Sequence, residues 1–147
     1  MPAGLLRRLG ALLYDSLLLL ALFMAATALM LPLSGGEAIT PAGHPLLEFA
    51  YRAVLLALLV GFYGFFWTRR GQTLGMASWR LRVEREDGAL LTWPDTLRRL
   101  AAAAVSIAPA GLGLLWMLVD PRRRTWHDRW THTRVVVLPK RAARRSE

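Results

Sequence analysis

RRLGALLYDSLLLLALFMAATALMLPL, residues 7–33, decides what class of protein this is. After Arg7 and Arg8, the run from Leu9 to Leu33 carries a single charge, Asp15. It exceeds the roughly 20 residues that a helix needs to cross a hydrocarbon layer. A cleaved leader would also open on a basic pair and close near small residues such as Ser34, Gly35 and Gly36. Its apolar core would be shorter, however, and would not contain an aspartate. The stretch reads as a first spanning helix over about residues 9–33.

Working outward, residues 34–45 (SGGEAITPAGHP) contain no Lys or Arg and one acidic residue, Glu37. A short loop without positive charge is normally the translocated one, so this loop is expected outside and the N-terminus, with Arg7 and Arg8, in the cytoplasm. A second span is expected over about 46–67. Glu48 and Arg52 stand one turn apart at its outer end, and Phe62, Tyr63, Phe65, Phe66 and Trp67 sit before Arg69 and Arg70 at its inner end. Residues 79–93 alternate apolar with charged residues around Asp87-Gly88, which predicts a cytoplasmic β-hairpin, and Pro94-Asp95 then opens a helix.

The third apolar block, about 100–119, has arginines on both flanks: Arg98 and Arg99 before it, Arg122, Arg123 and Arg124 after it. One crossing cannot satisfy the positive-inside rule at both ends. Pro109, Gly111 and Gly113 interrupt the run, so it reads as a re-entrant hairpin, or else as one span kinked at Pro109 with an exported basic tail. A β-branched strand at about 133–138 could join the hairpin in one small sheet if both are cytoplasmic. The basic tail, Lys140 to Arg145, fits contact with anionic lipid headgroups. The expected fold class is therefore an all-α membrane protein with a small cytoplasmic β-hairpin or sheet, in one domain over residues 1–147.

Composition agrees with this reading. The 147 residues are 54% hydrophobic with a net charge of +9, and the arginines sit at the ends of apolar runs rather than along a stripe of their own. That argues for orientation signals and against a nucleic-acid partner. With no cysteine there is no thiolate nucleophile or cysteine-ligated metal. His127 and His132 are spaced five apart, which does not place them on one helical face, so no metal site or cofactor is expected. His127 remains a candidate pH-sensitive group.

Asp15 carries the chemistry of the first span, because an unpaired carboxylate within a span costs about 2.5–3.5 kcal/mol on insertion scales. Arg8 precedes it by two helical turns on the same face, about 10 Å away at the Cα atoms. A direct pair needs both side chains stretched, so an arginine from the cytoplasmic segment is the alternative partner, with Arg8 turned toward phosphates; functionally, Asp15 either binds or releases a cation or proton or forms a buried structural ion pair with Arg8. Asp120 and Asp128 could supply further ion-binding carboxylates if the third block re-enters, with Asp120 at its cytoplasmic mouth; structurally, Asp120, before Pro121, fits a turn and Asp128 fits a cap or a pair with Arg129 or a hairpin arginine. Gly71, Gln72, Thr73 and Gly75 read as turn residues between helix and hairpin, since the lysine of a phosphate loop is missing.

Three segments together resemble the RDD family of small bacterial and archaeal membrane proteins: RRLGALLYDSLLL (7–19), RRGQTLGMASWRLRVEREDGALLTWPDTLRRL (69–100) and DPRRRTWHDRWTHTRVVV (120–137). The resemblance covers almost the whole chain. It departs from the family pattern at Trp130, Thr131 and His132, where small residues are more usual before the last strand. The family's arginine and first aspartate match Arg8 and Asp15, and its second aspartate matches Asp128 or, alternatively, Asp120. The resemblance implies an inner-membrane, multi-pass protein, with transport of a small cation or proton by a homo-oligomer as the expected function. A non-catalytic accessory or scaffold protein is the alternative, its basic cytoplasmic face binding a membrane-protein partner or anionic lipid. An enzyme is not expected, because no nucleophile–base pair or cofactor loop stands out.

Overall fold

The computed structural model describes residues 3–40, 42–43, 45–109 and 111–139. Helix α1 (Leu5–Met30) runs into a 3₁₀ turn, Leu31–Ser34, where Pro32 ends regular hydrogen bonding and Gly35, at φ 70°, closes the end. Helix α2 (Pro45–Arg69) returns antiparallel, opening on proline. α1 with its 3₁₀ extension is 30 residues at mean hydropathy 2.3, and α2 is 25 residues at 1.8. Both are long and apolar enough to cross a membrane. Only 6% of the most apolar stretch of each is buried within the chain, so most of their leucines need another apolar neighbour.

A compact cap forms where α1 begins and α2 ends. The short α3 (Leu74–Ser78) leads into β1 (Leu81–Arg85), which pairs antiparallel with β2 (Thr133–Val137) in the register Leu81↔Val137 and Val83↔Val135. Leu81, Val83 and Val135 point inward with Ala3, Ala11, Trp67, Met76 and Leu91. Outward, Arg134 Nε donates to Glu84 at 2.8 Å across the strands. Two strands alone are marginal in water, so the sheet depends on the helices behind it. Ala3 N–H donates to the Val135 carbonyl at 3.1 Å, which fastens the start of α1 to the last strand.

The expected hairpin over 79–93 does not form. Asp87-Gly88 does turn the chain, with Arg85 N–H donating to the Ala89 carbonyl at 2.9 Å, but residues 89–92 form no strand. Thr92 and Asp95 form a capping box that starts helix α4 (Trp93–Ile107), leaving too few residues for a second strand. β1 therefore pairs with the strand at 133–137, as the β-branched run anticipates.

The apolar block at 100–119 is not one element. α4 begins seven residues before it, and α5 (Leu112–Leu115) continues as a 3₁₀ turn, Trp116–Leu118. The two segments meet at 104°, which excludes a straight span and leaves a broken span or a re-entrant loop. The bend is tight because Gly113 lies directly against Ser106; a Cβ there would come 2.5 Å from the Ser106 carbonyl. Helix α6 (Trp126–Trp130) then leads into β2. The basic tail from Lys140 lies outside the described residues.

Candidate functional site

The buried face of α1 is Arg8, Ala11, Asp15 and Leu19, a helical repeat that aligns the two charges as their spacing predicts. They do not pair with each other. Each is bound by a different part of the cap, which corrects the expected Arg8–Asp15 ion pair.

Arg8 reaches Asp128. Thr125 caps α6 and Asp128 stands three residues later, so the Thr125 N–H donates to Asp128 Oδ2 at 3.2 Å and the Asp128 N–H to Thr125 Oγ1 at 3.3 Å. This capping box fixes the carboxylate where Arg8 Nη1 donates to Oδ2 and Arg99 Nη2 donates to Oδ1, both at 2.6 Å. Asp128 is fully buried. Burial alone would raise its carboxyl, but Arg99 and then Arg8 outweigh that and hold it below the usual carboxylate range. Further donors of the two guanidiniums are placed too: Arg8 Nη2 bonds the Arg123 carbonyl at 3.2 Å, Arg99 Nη1 bonds Thr133 Oγ1, and the Arg99 guanidinium lies 5.4 Å from the Trp67 ring centre, while Arg8 Nε is buried without a partner. The expected partners of Asp128, Arg129 or a hairpin arginine, are not the ones it has.

Beside this node, His127 Nδ1 lies 3.3 Å from Ser106 Oγ, and its Nε2 is 3.9 Å from Asp128 Oδ1. Burial and then the Arg99 charge lower its pKa to about 4. His127 is thus neutral near pH 7, and a neutral imidazole beside two guanidiniums adds no third positive charge.

Asp15 is held by the GQTLG segment. Thr73, the cap of α3, donates from Oγ1 to Asp15 Oδ2 and accepts from the Met76 N–H at 3.2 Å. The Gly75 N–H donates to Oδ1 at 2.9 Å. A side chain at position 75 would collide with the Ala11 carbonyl, so glycine is what allows the amide to come this close. Gln72 Nε2 donates to the Leu81 carbonyl at 2.6 Å, and Gly71, at φ 67°, makes the turn from α2 while its carbonyl accepts from Val83 N–H at 2.7 Å. The four residues are turn residues as expected, and two of them also bind the carboxylate. Among the described residues no Lys, Arg or His forms a salt bridge with Asp15.

A cavity of about 310 Å³ opens beside both groups. Its wall is mainly apolar, from Leu59, Tyr63, Trp67 and Ile107, and Asp15 and Arg99 also face it. Asp120 is elsewhere: it accepts from the Arg124 N–H at 2.9 Å as a turn residue and takes no part in the node. No group of three or more metal-ligating His, Asp or Glu occurs among the described residues.

Two partners escape a reading by spacing alone. Arg99 belongs to a basic pair that doubles as an orientation signal, yet with Thr96 and Ser106 it makes the buried face of α4. That polar helical repeat is the signal that could have found it. Thr73 carries no signal beyond its place in the turn.

The RDD family model matches residues 2–132, which include Arg8, Asp15, the GQTLG segment, Arg99 and Asp128. No curated protein and no solved structure matches the chain. Two apolar helices of spanning length are consistent with a membrane protein, and by the extent of the match the chain belongs to the RDD family.

Proposed function

We propose that this chain is a multi-pass protein of the bacterial or archaeal cytoplasmic membrane that exchanges protons for a small cation, with Asp15 as the proton-carrying group. The observation that carries this is the asymmetry of the two buried carboxylates. Asp128 meets two guanidiniums, whereas Asp15 meets only a hydroxyl and an amide and faces a cavity of about 310 Å³. A carboxylate held by neutral donors keeps its place whether or not it carries a proton; one gripped by two cations does not. Intramembrane carboxylates of the first kind mark proton paths.

The orientation that fits places Arg7, Arg70 and the cap in the cytoplasm and residues 34–45 outside. Pairing of β1 with β2 supports it, because both flanks of the third block then lie on one side, as a re-entrant path through the 104° bend requires. Two long helices cannot enclose a pathway, so the working unit is a homo-oligomer. Reconstituted in vesicles, the wild type is expected to couple proton movement to a sodium, lithium or potassium gradient, and Asp15→Asn to lose at least tenfold of that rate with its fold intact. Equal rates for the two proteins would refute the proposal.

A second reading, a non-catalytic accessory protein, is favoured by the outward face of the cap. Arg80, Arg82 and Arg85 flank or lie on β1 and offer a basic surface to a partner. A co-purifying membrane protein lost on charge reversal at Arg80, together with no flux, would favour this reading over exchange.

A further inference from the structure

A second, polar cleft of about 740 Å³ shares Arg8 and Val135 with the apolar cavity. Arg8, Arg122, Arg124 and Arg134 line it with Glu84 and Glu86. The two acids are occupied: Glu84 accepts from Arg134 at 2.8 Å and Glu86 from Arg124 at 3.2 Å. Arg122 forms no salt bridge among the described residues. Arg8 shares one carboxylate, Asp128, with Arg99, so that trio keeps one positive charge in excess, and Arg8 Nε is buried without a hydrogen-bond partner. The cleft therefore carries a surplus of positive charge, and the planar geometry of guanidinium suits phosphate oxygens.

Its position narrows the anion. Arg8 is the last charge before the apolar run of α1, and Arg122 stands three residues after the exposed Val119 of the third block, beyond Asp120, which pairs with Arg124, and Pro121. Two apolar surfaces thus end at one group of arginines, as acyl chains end at a phosphate. We infer that the cleft holds the phosphodiester headgroup of an anionic phospholipid, its chains lying along Leu118 and Val119 and along the exposed Leu9, which follows Arg8 on α1. This rests on the membrane reading of α1 but not on proton exchange.

The test is native mass spectrometry of the full chain in detergent, offered phosphatidylglycerol, phosphatidylcholine or glycerol 3-phosphate, with Arg122→Glu and Arg70→Glu as variants. Arg70 flanks a span but is not in the cleft, so it reports general attraction. The wild type is expected to retain phosphatidylglycerol over phosphatidylcholine. Arg122→Glu should reduce that retention by roughly fivefold or more, and Arg70→Glu should leave it unchanged. Equal losses in both variants, or no preference between the two lipids, would overturn the site. Equal retention of glycerol 3-phosphate would show a soluble phosphate ligand and overturn the lipid assignment. Since the readout is bound lipid rather than flux, a chain that carries no protons still passes or fails.

Discussion

Among the buried groups of the node, His127 is the one whose protonation ordinary acid can reach. Its pKa is lowered to about 4 by burial and by Arg99, against 6.5 for a free histidine. Between those values the unfolded chain binds a proton at this position and the folded chain does not, so stability is full above about pH 6.5 and falls as the pH drops toward 4. In detergent the wild type should lose on the order of 2–3 kcal/mol across that window, and His127→Gln should flatten that part of the curve. Identical slopes in an unfolding titration would show that the imidazole is not excluded from water. Asp128 adds little over most of that range, because its carboxyl is ionised in the folded chain and, above about pH 4, in the unfolded chain as well; its own contribution is lost only at lower pH.

At the level of elements, the fold joins α1 to the cap through two short segments, the start of α3 and the start of α6. Each uses a Thr cap and backbone N–H groups at a helix start to meet a carboxylate. Gly75 is the tightest point of the first junction. Gly75→Ala should push α3 away from the Ala11 carbonyl and break the amide bond to Asp15, lowering stability by about 1–3 kcal/mol in thermal unfolding. An unchanged melting temperature would mean that α3 is not seated on α1. Apolar run length made both long helices legible, along with the loop between them and the break near Pro109. The β-rich tail strand was also legible, though its partner was only half so: β1 was placed, but the second arm of its hairpin was not a strand. Local alternation cannot weigh a turn against a helix cap that begins four residues after it, and here the Thr92–Asp95 capping box decided the outcome. The pairing across some 50 residues was anticipated from the β-branched run at 133–138, but its antiparallel register leaves no local trace.

For the molecule as a whole, elements far apart in sequence are brought together: Arg8 in the first turns of α1 meets Asp128, 120 residues later. Charge patterning marked Asp15, because an isolated charge within an apolar run is costly, and Arg8, because it shares that helix face; Asp128 was pointed to by the family resemblance. Spacing on one helix then pointed Arg8 to the wrong carboxylate, since proximity along α1 says nothing of what packs against it. The resulting division, one carboxylate locked by cations and one held by neutral donors, underlies the proposed exchange. It is tested most directly by double-mutant cycles on unfolding free energy, combining Arg8→Met with Asp128→Asn and, separately, with Asp15→Asn. The first cycle should show coupling of about 2 kcal/mol or more and the second less than about 0.5 kcal/mol. Strong coupling between Arg8 and Asp15, with little between Arg8 and Asp128, would contradict the account.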